Sequence, residues 1–139
     1  MDNFEQQLNG FLKDNNPAYL EKLEQIKLNE PLLSGLILGT RENFSLVLLT
    51  PSRIISISGN RLSYLFLEGV ESLSLNYLKE SEKEVLELNI QFNQGRIKVV
   101  FSKNYSYAQH FLYTLQTIIL CFKPQLKIPL PEIQKPPLP

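Results

Sequence analysis

Apolar positions along the chain change period twice. Phe4, Leu8, Phe11 and Leu12 recur at helical spacing, and in "NNPAYLEKLEQIKL" Tyr19, Leu23 and Ile26 continue one face. Pro17 at a first helical position after an Asn cap predicts a fresh helix start, so residues 1–31 read as a helical N-terminal arm, of two short helices if it restarts there. Helices this short are marginal alone in water, so the arm needs a surface to pack on. The stripe Phe4, Leu8 and Phe11 is therefore a candidate protein-binding surface.

After Pro31 the period falls to two. Short runs rich in β-branched and aromatic residues, separated by turn residues, predict a continuous antiparallel meander of seven strands over 33–39, 44–50, 53–58, 62–67, 70–77, 84–92 and 97–102. The last three alternate apolar with polar, one wet face each. Matching their apolar faces predicts Phe92 opposite Ile97, Ile90 opposite Val99 and Leu88 opposite Phe101, around a Gln94-Gly95 turn. Between the fifth and sixth strands, "LKESEKE" reads as a solvated hairpin tip, so Glu80, Glu82 and Glu84 are not a catalytic acid pair.

The earlier strands are apolar on both faces: Leu46 and Leu48 alternate with Val47 and Leu49, and Leu65 and Leu67 with Tyr64 and Phe66. The arm, the tail or a second subunit must cover the surplus face, because a large apolar patch on a soluble monomer marks an interface. In "LVLLTPSRIISIS", Pro51 and Ser52 suit the centre of a type I turn and Arg53 re-enters the ladder. The strongest helical signal follows, Ala108, Phe111, Leu112, Leu115, Ile118, Ile119 and Phe122, with Ser102 or Asn104 as candidate cap and Lys123-Pro124 as stop.

Composition narrows the chemistry. At 139 residues and 43% hydrophobic content the chain is expected to form one domain with tails. Fourteen Lys+Arg balance fourteen Asp+Glu, so no global field steers it toward nucleic acid or an anionic membrane. Cys121 is the sole cysteine and can supply neither an intrachain disulfide nor a zinc cluster, which fits a reducing compartment such as the cytoplasm. The N-terminus lacks the basic start and apolar stretch of a signal peptide, and the apolar run 111–122 is too short to span a bilayer.

His110 is the only histidine and reads as an ordinary helix residue, and the glycines do not form a phosphate-cradling loop. No residue is assigned a catalytic, cofactor-binding or metal-binding role. Arg96, Lys98 and Lys103 form a small basic edge without interleaved aromatics, a weak nucleic-acid signal. The tail, "KPQLKIPLPEIQKPPLP", repeats a Lys-x-Pro-Leu-Pro pattern at Lys127 and Lys135, and such proline density favours polyproline II. Its leucines, Leu130 and Leu138, are candidate protein-binding residues if residues 124–139 dock; otherwise this extended tail is a spacer.

Residues 34–122 resemble a bacterial pleckstrin-homology-like domain of the YokE or GRAM-related type. The resemblance is carried by "LVLLTPSRIISIS", by the apolar-acidic "LFLEGVESLSL", and by Phe101, Ala108, Phe111, Leu112 and Leu115. It implies an α+β, mainly β fold: a PH-like barrel or sandwich over 32–123, closed by the C-terminal amphipathic helix. It also implies a binding module. The lipid-binding stretch of such domains corresponds here to "GTRENFSLVLL", with Arg41 beside Glu42 and no other cation. A polyphosphate headgroup needs several converging cations, so specific phosphoinositide binding is not expected. The expected function is a non-enzymatic adaptor or assembly subunit acting through a protein partner or self-association. The alternative is a peripheral membrane module using Arg41, Arg96, Lys98 and Lys103.

Overall fold

The computed structural model describes residues 3–39, 42–59, 61–80, 83–102 and 107–126. Its elements run α1 (Asn3–Asn15), α2 (Ala18–Asn29), β1 (Ser34–Gly39), β2 (Phe44–Leu49), β3 (Arg53–Ser58), β4 (Arg61–Phe66), a 3₁₀ turn (Leu67–Gly69), β5 (Val70–Glu80), β6 (Lys83–Phe92), β7 (Gly95–Ser102) and α3 (Ala108–Phe122). The fold is α+β and mainly strands. The seven strands divide into a four-stranded sheet, β1-β2-β3-β4, and a three-stranded sheet, β5-β6-β7, with no closed barrel among the described residues. The expected continuous meander is thus interrupted at the 3₁₀ turn. The chain forms two compact units, Met1–Tyr64 and Leu65–Pro139, with the division inside β4.

In the first unit, α1 carries Glu5 in its first turn and Lys13 in its last, charges that complement the helix dipole. Pro17 takes the cap position of α2 instead of its first helical position, and no side chain caps the helix. The Tyr19 and Leu20 amides instead donate to the Asn16 and Pro17 carbonyls at 3.0 and 3.1 Å. The helix stops at Glu30, whose φ of −149° and ψ of 146° are extended. Pro31 explains this, since a proline disfavours helical backbone in the residue before it.

Strand register assigns two faces to the first sheet. Gly35 pairs with Leu48 and Leu48 with Ile55; Ile37 pairs with Leu46 and Leu46 with Ile57. These residues share one face with Phe44, and the helical arm covers it. Phe11 meets Phe44 edge-on at 4.8 Å between ring centroids, and Tyr19 meets the same ring at 5.3 Å. A Cβ on Gly35 would lie 2.8 Å from the Phe4 ring and 2.9 Å from Leu48, so glycine is what lets the arm approach β1 this closely. Gly39 closes the strand at φ +88°, where a Cβ would fall 2.4 Å from the Asn43 carbonyl oxygen. The other face, with Leu36, Val47, Leu49 and Ile54, is also buried.

In the second unit, Leu73, Leu75, Leu86, Leu88, Ile90, Val99 and Phe101 are buried on one side of the sheet. The side chains between them are mostly polar, with Val100 an exposed exception. The register differs from expectation by two residues: Phe92 pairs with Gly95, Ile90 with Ile97, Leu88 with Val99 and Leu86 with Phe101. The turn is Asn93–Gln94, one residue earlier than Gln94-Gly95. Its position follows from an anchor distant in sequence, because the Asn93 amide donates to the Gly69 carbonyl at 2.9 Å. A shift of two preserves the faces, which is why alternation alone could not select it. The β5–β6 pairing also runs further than expected, to Glu80↔Lys83, so most of "LKESEKE" is ladder. Helix α3 buries Ala108, Phe111, Leu112, Leu115 and Ile119. Tyr107 occupies its cap position, in place of Ser102 or Asn104, and makes no side-chain capping bond; the Lys123 ammonium donates to the Val70 carbonyl near the other end of the helix.

Candidate protein-interaction surface

The first unit contains a polar clasp that local sequence patterns do not reveal. Thr50 is buried at the end of β2, and its backbone amide donates to the Arg53 carbonyl at 3.0 Å. Its hydroxyl accepts the Arg53 amide at 3.0 Å and donates to the Glu30 carboxylate at 3.0 Å. Ser52 donates to the other carboxylate oxygen, and Arg53 Nε donates to Glu30 Oε2 at 2.8 Å. Burial pushes the Glu30 carboxyl up, but the donors Ser52, Arg53 and Thr50 together outweigh it and hold the group below its ordinary value. The Pro51-Ser52 turn is therefore tied to the end of α2, and its polar groups are occupied structurally.

Arg53 also lies over the Tyr64 ring, 4.8 Å from the centroid. The guanidinium is thereby held between a carboxylate and an aromatic ring on β4. That strand ends the order of its sheet and is exposed along most of its length. Leu62 is 40% exposed and Tyr64 46%, two residues apart on one side of the strand. An apolar row on a terminal strand is the kind of surface that soluble proteins cover with a partner.

The residues expected to bind proteins are placed differently. Phe4 and Leu8 are buried and Phe11 is half-buried against Phe44, so this stripe is core of its own unit and not an open docking surface. Leu130 and Leu138 lie outside the described residues, as do Arg41 and Lys103. Arg96 and Lys98 share the polar face of the second sheet, where Lys98 pairs with Glu87 at 3.2 Å. Asn89 donates to Glu87 at 3.0 Å, the leading reason its carboxyl sits below the ordinary value, followed by Lys98. Of the two described members of the basic edge, Lys98 is therefore already paired.

His110 and Cys121 are exposed on α3. Among the described residues, no three His, Cys, Asp or Glu side chains converge as a metal site would require, and no helix is long and apolar enough to cross a membrane. The Glu30–Arg53–Tyr64 chain spans positions too far apart for any local motif. Read as apolar on both faces, this strand carried no sign that Leu62 and Tyr64 stand exposed. No protein-family model, curated protein or solved structure matches the chain.

Proposed function

We propose that this chain is a non-enzymatic protein-protein interaction module, an adaptor or assembly subunit of the cytoplasm, built on a PH-like scaffold. The scaffold reading is supported by element order: four antiparallel strands, three more, then an amphipathic helix, as the resemblance implies. The observation that carries the function is the exposed side of β4, where Leu62 and Tyr64 stand in solvent while the Arg53–Glu30 clasp holds the ring in place. Aromatic residues backed by an ordered arginine are typical interface anchors.

The test is affinity purification of the full chain from its native cells, wild type against a Leu62→Lys, Tyr64→Lys variant whose fold is checked by circular dichroism. The expected result is a stoichiometric partner captured by the wild type and reduced at least tenfold by the variant. A partner retained by the variant would move the interface off β4. No partner for either protein would remove the adaptor reading.

A further inference from the structure

The chain turns back where α3 ends. Lys123 leaves the helical conformation at φ −136° and ψ 78°, and the Leu126 amide donates to the Lys123 carbonyl at 3.1 Å. That bond closes a reverse turn with Pro124 at its first central position, so the chain leaves Leu126 pointing back along the helix. Leu126 is half-buried although Pro124 and Gln125 before it are exposed, so the chain leaves the turn against the protein and not into solvent.

Helix α3 presents one exposed stripe along that path. Gln109, His110, Tyr113, Thr117 and Cys121 are exposed and fall within about a third of its circumference; Phe122, the other exposed position, lies on the opposite side at the helix end. Tyr113, 73% exposed, is the one large apolar body of the stripe. The last turn of α3 carries no basic residue to complement the negative end of the helix dipole, and the Lys123 ammonium is engaged by the Val70 carbonyl.

We propose that this stripe is the docking site of the chain's own proline-rich segment, residues 127–133, lying antiparallel to α3 as polyproline II. The proposal goes beyond the β4 surface and stays within the second unit. Pro129 and Pro131 lack the N–H that a ladder needs, so the segment is unsuited to extending a sheet edge, whereas proline-rich segments dock on aromatic surfaces. Every third residue of polyproline II shares an edge. Lys127, Leu130 and Ile133 line one edge, Ile128 and Pro131 a second, and Pro129 and Glu132 the third. The first two edges are apolar except for Lys127, which falls at the end of the helix that lacks a cation. Glu132, the sole carboxylate of the segment, faces away.

Length and register agree. The segment advances about 3.1 Å per residue and the helix about 1.5 Å, so each tail residue passes about two helix residues. Starting with Leu126 beside Lys123, Pro131 comes level with Tyr113 and Ile133 with Gln109. The second Lys-x-Pro-Leu-Pro repeat, from Lys135, runs past Ala108 and takes no part in the contact. Docking thus withdraws the first repeat from partners and leaves the second.

Nuclear magnetic resonance of the full chain tests this, with a nitroxide on Gln134→Cys in a Cys121→Ser background. The label should broaden amides 108–113 at least threefold more than amides 119–122. A free tail, tethered at residue 126, would favour the opposite end of the helix. Leu130→Asp, or Tyr113→Glu on the helix side, should abolish the gradient, and Leu138→Asp in the second repeat should leave it. A reversed or absent gradient, or one indifferent to both Leu130→Asp and Tyr113→Glu, would overturn the proposal.

Discussion

Glu30 concentrates more structural consequence than any other single residue of the first unit. One carboxylate receives hydrogen bonds from Thr50, Ser52 and Arg53 and so fastens the end of α2 to the β2–β3 turn. Glu30→Gln keeps the shape but turns two donors toward groups that are themselves donors. The expected loss is about 1 to 3 kcal/mol, measured by urea unfolding at pH 7. The pH dependence has a definite sign: the folded-state pKa is depressed, so the stabilisation is fully present above the unfolded carboxylate pKa, roughly 4.3, and fades as pH falls through the folded value. Wild type and Glu30→Gln should accordingly converge in stability at low pH. Divergence there would mean that shape, not charge, governs the site. Thr50→Val removes the hydroxyl that joins Glu30 to the Arg53 amide in a buried position, and a loss of about 1 to 3 kcal/mol is again expected, whereas Thr50→Ser should be far milder.

At the scale of elements, the arm and the first sheet depend on one missing side chain. Gly35→Ala places a methyl 2.8 Å from the Phe4 ring and 2.9 Å from Leu48, both buried, and should destabilise by about 1 to 3 kcal/mol through overpacking. Phe4→Leu, which withdraws the ring tip, should recover part of that loss in a double-mutant cycle; additive effects would show that the arm does not bear on β1 there. The sequence already announced this arm and its need for a surface, because Phe4, Leu8 and Leu12 repeat at helical spacing and β2 is apolar on both faces. It could not announce that the arm meets its own sheet, since Gly35 and Phe4 are linked only by folding. The same distinction explains the last hairpin: alternation assigned the faces of β6 and β7, but the Asn93–Gly69 bond that places the turn connects residues with no common local pattern. Of the interaction surface, the apolar character of Tyr64 and Phe66 was readable, whereas the exposed side of the strand and the clasp behind Tyr64 were not.

At the scale of the whole chain, charge decides between the adaptor reading and a membrane module. Fourteen cations offset by fourteen anions leave no long-range attraction to an anionic surface, so any binding must come from a local patch. On the polar face of the second sheet that patch is Arg96 and Lys98, and Glu87 already engages the lysine. A basic residue near an anionic leaflet contributes about 1 kcal/mol, too little for a pair to hold a protein of this size at physiological salt. Vesicles containing about 30 mol% phosphatidylserine should therefore fail to sediment the protein at 150 mM salt, conditions under which exposed charges are screened beyond about 8 Å. Glu87→Gln frees Lys98 and should raise vesicle affinity a few-fold at low salt, and Arg96→Ala should cancel the gain. Strong wild-type sedimentation that survives both Arg96→Ala and Lys98→Ala would instead mean that another surface meets the membrane, and the balance of charge over the chain would no longer argue for a protein partner.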